Sequence, residues 1–231
     1  MRVDEDGGFI APATVEAAVE ALGAPDALAV AGGTSVGLLI GQGLVAPATL
    51  VWLGRIPELT RIRREGDRLV VGAGVTLRAL AADPTVAAEL PAVAAAADAV
   101  GNTRIRAVAT IGGALAHSDP RQDLPPALIA HQADVEVAGR HGRRTLPLHR
   151  LATGFMSTVL EADEIITSVS VPLVAGRRSV YHRYTPGSVD DYPTVAVAAT
   201  LVQHGDDLVA AATVAVGGAG PTPYLVPEAR T

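Results

Sequence analysis

The sequence predicts an α+β protein, and three observations carry that reading. Short apolar strands and short helices follow one another without strict alternation through the first three quarters of the chain. From about residue 177 helical periodicity stops and alternating strands take over. The apolar content is high, at 49% of 231 residues, yet aromatics make up only 3%, so the core is built from Ala, Val and Leu.

Taken in order, "ATVEAAVEALG" spaces Val15, Ala18, Val19 and Leu22 as one helix face, with Gly23 as its stop. "DALAVAGG" reads as a buried strand ending in glycines, and "TLVWLGRI" as a second strand. "RIRREGDRLVVGAG" is a hairpin turning at Glu65–Gly66–Asp67. Thr76 suits the N-cap of "TLRALAAD". "PAVAAAADAVG" is a helix closed near Gly101–Asn102. "PALIAHQADVEVAG" gives a helix and then a strand, and "DEIITSVSVPL" a further strand. Beyond a boundary near 175, "RSVYHRYT" is a strand, and "TVAVAATLVQHGDDLVAAATVAVGG" is a strand pair joined at Gly205–Asp206. No helix follows these last strands, so their apolar face is expected to lack a cover within the chain.

Composition excludes several chemistries. The formal charge of −6 offers no basic field for nucleic acid. The absence of cysteine removes disulfides, thiolate catalysis and iron–sulfur ligation by this chain, and fits a reducing cytoplasm. No run of about 18 apolar residues is present to span a membrane, and "MRVDEDGGF" lacks the features of a signal peptide. The six histidines make no i,i+4 pair, and neither H-E-x-x-H nor G-x-S-x-G occurs. Asp190–Asp191 reads as paired carboxylates or as a solvated turn.

Two glycine pairs stand out, Gly32–Gly33 in "AVAGGTSVG" and Gly112–Gly113 in "ATIGGALAHSDP". Each follows a β-like run and precedes small or hydroxyl residues. Glycine permits positive φ and lets backbone N–H groups point into a shared concavity, so two such loops face to face suit a diphosphate without any lysine. Two tight turns are the alternative. No Walker A motif occurs, and "GAGVTL" puts Leu77 where a dinucleotide fingerprint needs glycine. His117 is the histidine that follows a glycine loop; a structural hydrogen bond is the plainer role for it.

In this order, "AVAGGTS", "LVWLGRIPELTRI", "LVVGAGVTLRAL", "VGNTRIRAVATIGGALAHSDPRQDLPPALIA" and "DEIITSVSVP" resemble the FAD-binding medium subunit of molybdenum hydroxylases, the carbon monoxide dehydrogenase and xanthine dehydrogenase family. The resemblance runs from about residue 9 to 223. It implies a two-subdomain FAD-binding domain of the PCMH type over residues 1–175, followed by an antiparallel-sheet C-terminal domain over 176–231 that is incomplete. It implies non-covalent FAD, whose diphosphate the two glycine loops close on and neutralise with their amides. By position the first loop is Ala31, Gly32, Gly33, Thr34 and Ser35, and the second Thr110, Ile111, Gly112, Gly113 and Ala114. Asp123 matches an aspartate that hydrogen-bonds FAD. Ile166 (or Thr167) lies where the family packs a backbone edge near the flavin, and Arg183 where many members have a flavin-proximal lysine. No catalytic side chain or metal ligand is implied in this chain. The molybdenum cofactor and [2Fe–2S] clusters belong to partner subunits, a molybdenum-binding large subunit and an iron–sulfur small subunit.

Three departures stand against the resemblance. Ala114 replaces a common Asn, Trp52 replaces an acid, and members usually run some 50 residues further, so the chain is expected to be truncated at its C-terminus. A structural relic without flavin and a stand-alone flavoenzyme are the alternatives to an electron-relay subunit.

Overall fold

The computed structural model describes residues 8–204 and 208–227. The first unit is a three-stranded parallel sheet in the order β1-β3-β2, built from β1 (Gly8–Ile10), α1 (Val15–Leu22), β2 (Ala27–Val30), α2 (Thr34–Gly41) and β3 (Thr49–Trp52). Thr14 caps α1 through the Ala17 N–H at 3.2 Å. The helix buries Val15, Ala18, Val19 and Leu22 against Val51, Ile56 and Leu59. By contrast α2 buries no residue, and Leu38 is 60% exposed.

The second unit is an antiparallel sheet in the order β4-β5-β10-β6-β7. Its chain order is β4 (Ile62–Glu65), β5 (Arg68–Gly72), α3 (Leu77–Ala82), α4 (Pro84–Glu89), α5 (Pro91–Ala99), α6 (Thr103–Arg106), α7 (Ile111–His117), α8 (Leu124–Ala130), β6 (Asp134–Gly139) and β7 (Gly142–Pro147). A small hairpin, β8 (Ala152–Gly154) and β9 (Ser157–Thr158), leads to β10 (Ile165–Pro172). The β4–β5 turn has Gly66 at φ +60°, the left-handed conformation that a tight hairpin needs. Thr76 caps α3 and Asp83 caps α4. Ala92, Val93, Ala96 and Ala97 of α5 are buried, and their small side chains let the helix lie close to its neighbours.

The third sheet, β11 (Arg177–Tyr184), β12 (Val195–His204), β13 (Leu208–Gly217) and β14 (Tyr224–Leu225), is antiparallel in chain order. The expected turn at Gly205–Asp206 lies outside the described residues. The expectation of an uncovered sheet is corrected for one face. Ala196, Ala198, Thr200, Thr213 and Ala215 are buried beneath α5 and α8, which precede the sheet in sequence. Ala198 and Ala215 belong to the same core as Leu69 and Val169 of the second unit.

Side chains of the sheet also finish the helix ends. The Ser179 hydroxyl accepts the Ala92 N–H of α5 at 3.1 Å, and Thr200 donates to the Ala130 carbonyl of α8 at 3.1 Å. The opposite face turns Val180 and Tyr184 outward, 61% and 60% exposed, and no described residue covers them.

His131, directly after α8, is fully buried, with Nδ1 2.8 Å from the Ala127 carbonyl. Burial pushes its pKa down to about 4, against the hydrogen bond to Ala127 and in the same sense as the Arg177 charge. The folded state therefore holds it neutral, whereas the unfolded chain takes up a proton near pH 6.5. The unfolded state then binds more protons between pH 6.5 and 4, so stability falls as pH drops through that window, by roughly 3 kcal/mol. Urea midpoints at pH 7 and pH 4.5 are expected to show this loss, and His131→Leu to flatten it. An equally steep profile in the variant would assign the loss to other groups.

Candidate cofactor site

The first glycine pair packs on the segment that leads into the second, and the sequence between them explains how. In "VGNTRIRAVA", Gly101 adopts φ +44° and Asn102 caps α6, accepting the Arg104 and Ile105 N–H groups at 3.0 and 3.2 Å. The Arg106 guanidinium folds back onto the carbonyls of Val100 and Gly101 at 3.1 and 3.0 Å. This knot delivers Val108 and Ala109 directly beneath Gly32. A Cβ on Gly32 would stand 1.9 Å from the Val108 carbonyl oxygen. Backbone presses on backbone there, and glycine alone fits.

The first loop is an amide-rich turn. Gly33 sits at φ +70°, ψ 4° and is the N-cap of α2 without any side-chain cap. The N–H groups of Gly32, Gly33, Thr34, Ser35 and Val36 have no hydrogen-bond partner among the described residues, and all five residues are half-buried. Consecutive amides around a left-handed residue form an anion-binding concavity, reinforced by the positive end of α2. The loop is anchored from below, since the Trp52 indole donates to the Ala31 carbonyl at 3.2 Å and its ring stacks on Phe9 at 6.4 Å. Trp52, noted in the sequence only as a departure, thus holds the loop in place. Its signal was its singularity, the one tryptophan of an aromatic-poor chain.

The second loop is built differently, and two expectations are corrected. It does not follow a strand: Thr110 makes one isolated bridge to Thr76, and the glycines form the first turn of α7. Nor are its amides free. Ile111 donates to Val75 at 3.0 Å, Gly112 to Ala73 at 2.8 Å, Ala114 to Thr110 at 2.9 Å, and Gly113 to the Thr110 hydroxyl at 3.1 Å. Gly112 is glycine because a Cβ would lie 2.5 Å from the Ala73 Cβ, so its close neighbour is protein. Gly113 is exposed, and only the Thr110 hydroxyl lies near its Cβ position. Ala114 is half-buried.

Asp123 and Arg183 meet, as partners of each other. The Asp123 Oδ1 accepts the Tyr181 hydroxyl at 2.5 Å and the Arg183 guanidinium at 2.9 Å. Burial pushes the Asp123 carboxyl up, while Tyr181 and Arg183 pull it back. Arg183 also donates to the carbonyls of Ala99, Val189 and Asp191. Both Nη atoms of Arg183 are thus engaged by protein acceptors. They tie the 185–193 segment to α5 and α8. Within that segment the Asp191 carboxylate accepts the Ser188 N–H at 3.0 Å, so Asp190–Asp191 form a turn. Arg121 lies over the Tyr192 ring at 5.2 Å.

Ile166 pairs with β6 only, since the pairing of β10 with β5 begins at Ser168. It is buried in β10, the central strand, and pairs with Val137 at a bulge where Thr167 accepts the Ala73 N–H at 2.9 Å. No cluster of metal-ligating side chains occurs among the described residues.

A helix N-terminus with unpaired amides, packed on the segment that leads into a second Gly-Gly turn, has the chemistry that suits a dinucleotide diphosphate. Residues 4–174 match the family described as the FAD binding domain in molybdopterin dehydrogenase, and the chain belongs to that family. It is 35% identical over 223 residues to the nicotine 6-hydroxylase medium subunit of Paenarthrobacter nicotinovorans, covering 96% of this chain and 78% of the relative. It is 34% identical over 200 residues to the carbon monoxide dehydrogenase medium chain of Hydrogenophaga pseudoflava, covering 86% and 70%. A chain in the structure of carbon monoxide dehydrogenase from the latter organism superposes with a TM-score of 0.91 at 32% identity, covering 97% of this chain and 78% of its own. A chain of quinoline 2-oxidoreductase from Pseudomonas putida 86 gives 0.92 at 30% identity, covering 100% and 80%.

Proposed function

We propose that the chain is the flavin subunit of a molybdenum-hydroxylase complex, relaying electrons from iron–sulfur clusters of a partner subunit through FAD to a terminal acceptor. One observation carries the cofactor half of this reading, the five unpaired amides from Gly32 to Val36 at the start of α2. They suit a diphosphate without a cation. The cofactor, when bound, supplies the redox chemistry. The residues of this chain orient it. The first loop donates N–H groups to the diphosphate, and Trp52 and the Val108–Ala109 segment hold that loop in register. The second loop buttresses the site through Ala73 and Val75 and leaves Gly113 open beside it.

The partner half rests on composition and on the relatives. The chain has no cysteine with which to ligate a cluster, and the relatives are named as medium subunits or chains of larger enzymes. We assign the clusters and the molybdenum cofactor to an iron–sulfur small subunit and a molybdenum-binding large subunit, and the complex to the cytoplasm. No described helix is long and apolar enough to cross a membrane. Residues 1–175 form the cofactor domain in this reading and 176–231 part of a second domain.

The experiment is purification from the native host. The expected preparation is yellow, with a flavin absorption spectrum, and contains cysteine-rich and molybdenum-containing chains. A colourless protein would refute the flavin assignment. A yellow protein that purifies alone would refute the relay assignment.

A further inference from the structure

We infer that His117 is a cofactor-positioning residue whose imidazole hydrogen-bonds the sugar hydroxyls flanking the FAD diphosphate. The inference rests on the assignment of FAD to this site. The sequence of α7 is IGGALAH, so His117 is the only polar side chain that the helix carries. The helix buries Ile111, Gly112 and Leu115, and turns Gly113 and Ala116 outward. His117 follows Gly113 by four residues and Ala114 by three, and so shares their face. Side chains on a helix lean toward its N-terminus, which places the imidazole over the turn formed by Gly113 and Ala114. Neither residue offers a polar side-chain atom there, and a Cβ on Gly113 would meet only the Thr110 hydroxyl.

The imidazole has no hydrogen-bond partner among the described residues. Its one charged neighbour is Asp119, whose Oδ1 already accepts the Arg121 N–H at 2.9 Å. Burial pushes the His117 pKa down and Asp119 pulls it up, with burial prevailing. The neutral ring has one donor and one acceptor, the complement of a hydroxyl group. A half-buried ring without a protein partner keeps its donor and its acceptor available to a ligand.

The position is also in reach. From Ile111 to His117 is roughly 9 Å along the axis at 1.5 Å per residue. The first loop presses on Val108 and Ala109, and that same helix begins two residues further on, at Ile111. A cofactor whose diphosphate lies on the first loop therefore brings an adjoining sugar past His117.

The test is the Kd for FAD of the apoprotein and of His117→Ala and His117→Gln, followed by flavin fluorescence. His117→Ala is expected to weaken binding roughly 5–20-fold, and His117→Gln, which keeps a donor and an acceptor, to restore it to within about threefold. Thermal midpoints of all three proteins should agree. ADP and FMN then separate the two sugars. A loss confined to ADP places the contact at the ribose, and one confined to FMN at the ribityl chain. If His117→Ala binds FAD within twofold of the wild type, the inference fails and the FAD assignment stands. If the wild type itself does not bind FAD, the assignment fails.

Discussion

Gly32→Ala is expected to abolish FAD binding, although it adds one methyl group. The new Cβ would stand 1.9 Å from the Val108 carbonyl oxygen, 2.6 Å from its carbon and 3.0 Å from the Ala109 Cα. These are backbone atoms, so no rotamer relieves the clash, and the loop must rise off the 108–109 segment. Gly33 is the informative contrast. Its φ of +70° strains any L side chain, but a Cβ there meets nothing nearer than Val30 at 3.7 Å. Gly33→Ala should therefore cost about 1–2 kcal/mol of backbone strain.

Displacing the first loop misaims several donors at once. Each hydrogen bond to a charged group contributes about 1.5–3 kcal/mol, so losing two weakens binding roughly 10²–10⁴-fold. Equilibrium titration with FAD measures this. Gly112→Ala, which clashes with Ala73 instead, is expected to lower stability first and affinity second. Equal affinity losses for Gly32→Ala and Gly112→Ala would mean that the loops contribute alike.

Arg183→Ala is expected to destabilise the fold by about 3–5 kcal/mol, the usual result of removing one partner from a buried ion pair. The Arg183 and Asp123 side chains are only 13% and 4% exposed. Without the guanidinium, Asp123 keeps its hydrogen bond from Tyr181 and loses its counter-charge. The carbonyls of Ala99, Val189 and Asp191 lose their donor as well. Lysine cannot reproduce this fork of donors, so Arg183→Lys should recover only part of the loss. Because the damage comes from an orphaned carboxylate, Asp123→Asn/Arg183→Met should be less destabilised than Arg183→Met alone. Urea unfolding measures all four variants. A loss below about 1 kcal/mol for Arg183→Ala would show that the pair does not hold the third sheet to the second unit.

What the sequence made legible is what local chemistry determines. The α1 stripe, the turn at Gly66, the Thr76 cap and the pairing of β12 with β13 are written in neighbouring residues. The glycine loops were legible as places without side chains, but the reason for each glycine was not. Gly32 answers to Val108, Gly112 to Ala73, and Gly113 to its exposed position, and these contacts join distant parts of the chain. Two glycines also disguise the start of α7, because their helix propensity is poor. Thr110 and the carbonyls of Ala73 and Val75 hold that turn instead. The bond between Arg183 and Asp123 was not legible because the two lie 60 residues apart. The third sheet read as uncovered because α5 and α8 precede it rather than follow it.

The most direct test of the central claim is amide hydrogen exchange, residue by residue, with and without FAD. Before FAD is added, the amides of 111–114 should already be protected by their bonds to Val75, Ala73 and Thr110, and those of 32–36 should exchange freely. FAD should then protect 32–36 and leave 111–114 nearly unchanged. Protection gained at 111–114 with none at 32–36 would contradict the account, and so would a cofactor that protects neither.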